Sequence, residues 1–170
     1  MMILAIGACS PPARHAPNTD TVALLRTVVK YASDTLKVGP KIVIARMTKT
    51  NPDVRLSLDT QNALLSSDSR LSAVERYDIA HQACDTVAKV ASNCHFADAD
   101  GLIAVRDVRL WRDSAHVGIE YYRTKPERVG PKATEKKGLV YNSGDASLER
   151  DVSGQWKIKK FTETGGGTKP

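Results

Sequence analysis

Between Leu102 and Thr162 the chain alternates apolar and polar residues in short segments parted by turn signals, and no other stretch restricts the fold so strongly. Ala115, Val117, Ile119 and Tyr121 fall on one side of a period of two, with His116, Gly118, Glu120 and Tyr122 on the other, as in a half-buried strand. Just upstream, Val108 and Leu110 alternate with Asp107 and Arg109, and Arg112-Asp113-Ser114 is short and polar enough to turn one segment into the next. A second hairpin is predicted where Ala146, Leu148 and Arg150 alternate with Ser147 and Glu149, Asp151-Val152-Ser153-Gly154 turns, and Trp156 and Ile158 alternate with Lys157 and Lys159. An antiparallel sheet with one apolar face must cover it, because each large side chain left in water forfeits roughly 1.5–3 kcal/mol. Helices upstream are the expected cover.

The first such helix is predicted from Thr21, with Asp20 as cap and Val22, Leu25, Val28, Val29 and Ala32 at helical spacing, and Gly39-Pro40 stops it. A strand follows from Lys41 to Thr48 through Ile42, Val43, Ile44 and Met47, ended by Asn51-Pro52. Val54 to Leu58 alternates briefly before a short helix at Thr60–Leu65 and a loop at Ser66–Ser69. Ser72 with Glu75 forms a capping box, so a second long helix is expected to run toward Ala91 with Ala73, Val74, Tyr77, Ala80, Cys84, Val87 and Val90 on its inner face. With 170 residues, 41% of them hydrophobic, the chain can bury one core, and no shift in composition asks for a second.

The N-terminus carries the clearest functional signal. Met1 to Ala8 is apolar, and Ile6-Gly7-Ala8-Cys9 resembles a bacterial lipobox, where a precursor is cleaved and the new N-terminal cysteine is acylated. Each buried CH₂ of an acyl chain contributes about 0.8 kcal/mol, so several chains on Cys9 make a firm anchor. The apolar run is short and has no Lys or Arg before it, as if the true start codon lay upstream. Ser10 is compatible with outer-membrane sorting in proteins that carry this motif, where Asp favours inner-membrane retention. The resemblance implies a lipid-anchored protein on the periplasmic side of a bacterial membrane. It divides the chain into a signal remnant over 1–8, an attachment site and tether over 9–19, one domain over 20–163 and a flexible tail over 164–170 around Gly165-Gly166-Gly167.

With Cys9 assigned to lipid, Cys84 and Cys94 remain as an even pair that reads as a disulfide in an exported chain. Two unpaired structural thiols are one alternative. Another is a metal site with His81 and His95, although adjacent Cys94 and His95 suit tetrahedral ligation poorly. Asp98-Ala99-Asp100-Gly101 invites comparison with a calcium loop, but Phe96 stands where the first ligand belongs and Asp107 where a glutamate should, so a turn into the next strand is expected. His116, Glu120 and Tyr122 share a strand face, and Tyr121 lies on the other. The first three could do acid–base chemistry in a pocket, and His116, Glu120 and Tyr121 are the candidates a pocket enzyme would have to use. No phosphate-binding glycine loop, Gly-x-Ser-x-Gly elbow or His-Glu-x-x-His is present, and no motif calls for a cofactor.

The excess of 25 Lys+Arg over 19 Asp+Glu leaves a net charge of +6, which permits anionic partners. Aromatic content is 5% with no aromatic-interleaved basic motif, so nucleic acid is not an expected partner. Arg123, Lys125, Arg128, Lys132, Lys136 and Lys137, with Pro126, Gly130 and Pro131 among them, predict an exposed basic loop that can contact an anionic surface.

The order helix, strand, helix, then antiparallel strands closing with Gly154-Gln155-Trp156-Lys157-Ile158 resembles the NTF2-like (SnoaL-like) domains. That resemblance implies an α+β, cystatin-like cone, with a curved antiparallel sheet of about four to six strands packed by two main helices. Relatives of this type include isomerases, dehydratases and noncatalytic binding or dimerisation modules, and none of their catalytic patterns maps onto this chain. The expected role is a binding module of the cell envelope, taking a small molecule, polysaccharide or protein, with a homodimer through the sheet as a further possibility. An NTF2-like pocket enzyme is the alternative.

Overall fold

A computed structural model of the chain describes residues 18–48, 53–76, 82–87, 90–96, 98–127 and 136–168, with side chains throughout except at 82–95, 125–127, 136–138 and 168. The lipobox, most of the tether, His81, Arg128 and Lys132 lie outside the described residues. So do the side chains of Cys84, Cys94, His95, Lys125, Lys136 and Lys137.

The architecture is α+β. Helix α1 (Thr19–Asp34) is followed by β1 (Ile42–Met47), α2 (Leu58–Leu65), β2 (Leu71–Arg76), β3 (Gln82–Val87) and β4 (Val90–Phe96). A meander of β5 (Gly101–Leu110), β6 (Ser114–Glu127), β7 (Lys136–Arg150) and β8 (Trp156–Thr168) completes it. Six strands form one open sheet in the order β2-β1-β5-β6-β7-β8, and β3 pairs with β4 alone. The sheet is mixed and not purely antiparallel, because β1 runs parallel to both neighbours.

The helix start differs from expectation by two residues. Asn18 caps α1 by accepting from the Asp20 amide, which leaves the Asp20 carboxylate free to bridge Arg150 at 2.6 Å. One side of α1 buries Val22, Leu25, Val28, Val29 and Ala32 against Ile103, Val117, Ile119, Tyr121, Leu148 and Trp156, so the predicted apolar faces meet. α2 begins at Ser57, whose hydroxyl accepts from the Thr60 amide, and docks through Gln61, which donates to the Ile44 carbonyl at 2.8 Å.

The second long helix is not formed. Residues 71–76 pair with β1 instead, Ser72 opposite Val43 and Val74 opposite Ala45, and the intended cap residue Glu75 bridges Arg46 at 2.7 Å. β3 and β4, with β-branched Thr86, Val87 and Val90 among their residues, pair antiparallel. From the end of β4 Phe96 covers the sheet's second face, in a cluster with Val43, Ala45, Leu102, Ala104, Tyr122 and Leu139.

Two further expectations are corrected. The basic segment is no loop throughout: β6 and β7 remain paired out to Glu127 and Lys136, and Arg123 donates to the Leu36 carbonyl at 2.9 Å. The glycines of the tail lie in β8, where Gly165 pairs with Ser143 and Gly167 with Tyr141. Residues 98–101 make the expected turn, Asp100 accepting from the Lys41 amide at 2.9 Å.

Candidate functional site

A break in strand β5 builds the site. Ile103 and Val105 face the helices while Leu102 and Ala104 face the second cluster, as strict alternation requires. Val105 pairs with Ile119 and Asp107 with Gly118, so Arg106 is an extra residue in a β-bulge. Beyond it the phase is reversed, and Val108, opposite Val117, packs on the helix side. The bulge therefore sends both Arg106 and Asp107 to the second face, below the part that Phe96 covers.

There they meet residues from the next two strands. Gly118 stands between Asp107 and Asp145 in cross-strand register, and His116 lies two residues along on the same face. A Cβ on Gly118 would run into the Asp107 carboxylate and the Arg106 guanidinium, so the gap the glycine leaves is the space these groups occupy. Arg106 Nη2 donates to Asp145 Oδ1 at 2.5 Å, with Arg106 Nε 3.8 Å from Asp107 Oδ1. His116 Nε2 is 3.3 Å from Asp145 Oδ1 and 3.9 Å from Asp107 Oδ2. Asp107 Oδ2 is shielded from solvent and accepts no hydrogen bond among the described residues; Arg109 Nε faces it at 3.4 Å.

Asp107, His116 and Asp145 each offer one ligand atom, all within 4.8 Å of one another. This is an oxygen–nitrogen set of the kind first-row divalent ions accept. The guanidinium of Arg106 already supplies positive charge to both carboxylates, so a metal would have to displace it. In its present form the cluster is an ion-pair network, half-exposed and open on one side.

The acid–base candidates do not converge. His116 belongs to this open half-face, Glu120 is wholly buried further along the same face, and Tyr121 is wholly buried on the opposite, helix-facing side. Tyr122 packs edge-on to Phe96, with ring centroids 6.5 Å apart. Three described clefts, against α1 and β2, beside Arg150 and Trp156, and under Phe96 and Ser72, are lined by none of His116, Glu120 and Tyr121.

Tyr121 has a structural part instead. Its hydroxyl donates to Glu163 Oε1 at 2.5 Å and accepts from Asn142 Nδ2 at 3.2 Å. Burial, then the Glu163 carboxylate, pushes the phenol up to about 12. A group that holds its proton more tightly when folded contributes stability below its unfolded value near 10, and loses it as pH rises toward the folded value. The loss is about 2–3 kcal/mol between pH ~10 and ~12. Tyr121→Phe is expected to cost about 1–2 kcal/mol at neutral pH and to remove that alkaline decline, measured by urea melts across the pH range. An unchanged alkaline slope in the variant would refute the assignment.

Sequence patterning offered His116 as a candidate and placed Asp107 on the neighbouring strand of the same hairpin, but did not join the two as a site. It missed Arg106, because a bulge leaves no mark in a two-residue period, and Asp145, because the predicted hairpin began only at Ala146. Asn142-Ser143-Gly144-Asp145 has turn composition yet runs as mid-strand, Gly144 giving room to the Phe161 ring. No helix among the described residues is long and apolar enough to cross a membrane. No family model, curated protein or solved structure matches the chain.

Proposed function

We propose that this chain is an exported lipoprotein, held at the periplasmic side of a bacterial membrane through acylated Cys9, whose domain is a noncatalytic binding module of the NTF2-like type. The observation that carries the reading is the order of segments. Ile6-Gly7-Ala8-Cys9 is followed by a proline-containing stretch from Pro11 to Pro17, and Asn18, next in the chain, caps helix α1. An acylated cysteine needs such a spacer to clear the headgroups. Ser10 favours the outer membrane. The α+β sheet with helices on one face supports the NTF2-like assignment. The half-open face bearing Arg106, Asp107, His116 and Asp145 is the surface proposed for a small ligand or an envelope partner, since it offers donors and acceptors in a fixed array.

The Cys84–Cys94 disulfide belongs to the same reading. Ala83 pairs with His95 and Asp85 with Ser92, so the two cysteines sit on neighbouring strands at the irregularity between these pairs. The pocket-enzyme alternative gains no support from His116, Glu120 and Tyr121, which lie on two faces of the sheet.

Intact mass on protein from its native membrane fraction, with and without reduction and alkylation, tests the proposal. The expected product starts at an acylated Cys9 and carries two cysteines that alkylate only after reduction. A chain with unmodified Met1 and three free thiols would sink both parts.

A further inference from the structure

We infer that the turns at one end of the sheet, carrying Leu110, Trp111 and Val152, enter the interfacial layer of the membrane to which the chain is tethered. The inference rests on the lipid-anchor reading above and adds a second contact to it. Large apolar side chains exposed one at a time are ordinary. Here they are concentrated: of the four such residues exposed among the described ones, Leu58, Leu110, Trp111 and Val152, three belong to two neighbouring turns.

Those turns are bound to each other and to the start of α1. The Arg150 amide donates to the Asp113 carbonyl at 3.0 Å, joining the β5–β6 turn to the β7–β8 turn. Arg150 then reaches Asp20 at 2.6 Å, in the first turn of α1. The end of the sheet that shows Trp111 and Val152 is thus the end at which the tether joins the domain. The opposite end holds Leu36, Arg123 and the basic ribbon of β6 and β7. From Cys9 to Asn18 the chain spans at most about 30 Å when extended. Along β6, Ser114 is about 40 Å from Glu127. An anchor at Cys9 therefore brings the Trp111 end against the bilayer and leaves the basic ribbon pointing away from it.

The chemistry of the tip suits that position. Indole is favoured at headgroup depth, where its ring is apolar and its N–H stays hydrogen-bonded. Arg112, with a side chain 96% exposed, stands beside it to meet lipid phosphate, while Asp113 next to it limits the attraction to anionic lipid. Trp156, the other tryptophan, is buried with its ring 4.4 Å from the Arg150 guanidinium, so the Trp111→Phe variant is what assigns an emission change to the tip.

The test uses the full chain with Cys9→Ser, which cannot be acylated, and vesicles of phosphatidylethanolamine and phosphatidylglycerol at 3:1. Tryptophan emission is expected to shift to the blue on adding vesicles, and Trp111→Phe in that background should abolish the shift. Trp111→Ser with Val152→Ser should weaken vesicle co-sedimentation by about tenfold or more, leaving the thermal melt unchanged. Emission that ignores vesicles, or equal co-sedimentation of the double variant, would overturn the inference. A blue shift that grows with protein concentration without vesicles would assign the tip to a second copy of the chain and likewise overturn it. Because acylation is read separately by mass, an acylated protein with an inert tip refutes this inference alone, and an unacylated protein with an active tip refutes the anchor alone.

Discussion

Gly101→Val is expected to destabilise the fold by about 3 kcal/mol or more, enough to leave a marginal domain largely unfolded. Gly101 opens β5 where three segments close on one point. A Cβ there would stand 2.5 Å from the Tyr122 carbonyl oxygen and 2.6 Å from that of Val38, and would also meet a Val38 methyl. Backbone oxygens cannot rotate aside as a side chain can. The Tyr122 carbonyl belongs to β6, and Val38 is held by its amide on the Ala32 carbonyl at 3.1 Å. Relief would require β5 to separate from β6 or from the segment after α1. Gly167→Val is the control, since nothing lies within 4 Å of a Cβ at that position and a β-branched residue suits a strand. Urea denaturation should show a large fall in midpoint for the first variant and little change for the second. A loss below about 1 kcal/mol at Gly101 would mean that the backbone there yields more easily than its contacts imply.

Arg106→Ala should lower stability by about 1–3 kcal/mol and turn the polar strip into a divalent-metal site. Arg106 is the shared cation of Asp107 and Asp145, and both carboxylates have side chains less than one-third exposed, at 30% and 26%. Removing it leaves like charges facing each other in a half-dry setting with His116 beside them. The three remaining ligand atoms, within 4.8 Å of one another, then lose the guanidinium that spans both carboxylates, and Arg109, 3.4 Å from Asp107, is left to compete with an incoming ion at that carboxylate alone. The expected result is a thermal midpoint raised by Zn²⁺ or Co²⁺ in the variant by several degrees more than in the parent, reversed by chelator. Arg106→Ala/His116→Ala should lose the metal response. An equal response in parent and variant would show that Arg106 does not occupy the position argued for it.

Local patterning carried far in this chain. The apolar stripe of α1, the strand at Ile42–Met47 and both hairpins around Asp113 and Ser153 are set by residues that contact near neighbours in sequence. Asp151 illustrates why the second turn was readable. Its carboxylate accepts from the Ser153 and Gln155 amides and pairs with Lys157, while Gly154 takes a positive φ of 80°. Contacts with Ser153, Lys157 and Gln155 hold that carboxyl well below its usual range. What local pattern could not supply was long-range pairing. Ser72 and Glu75 satisfy a helix-start rule, yet β1 offers residues 71–76 a parallel ladder, and Arg46 takes Glu75 as its partner. The site shows the same division. His116 and Glu120 were assigned to their face by period alone, whereas Arg106 and Asp145 joined it through a bulge and a cross-strand register.

The parallel placement of β1 has a consequence for the order in which the chain can be completed. β5 to β8 are joined by short-range antiparallel connections, so each strand finds its partner soon after it is available. β1 must wait for the chain to close from Ile42 to Gly101, and β2 is attached to the sheet only through β1. A chain threaded through a membrane N-terminus first would present α1 and β1 well before the strand that receives them. Their apolar faces would remain in water until the C-terminal meander arrived. During that interval, the lipid anchor proposed at Cys9, once fixed, would hold the unfinished half of the domain beside the bilayer, and the meander would set the time at which it becomes a folded protein.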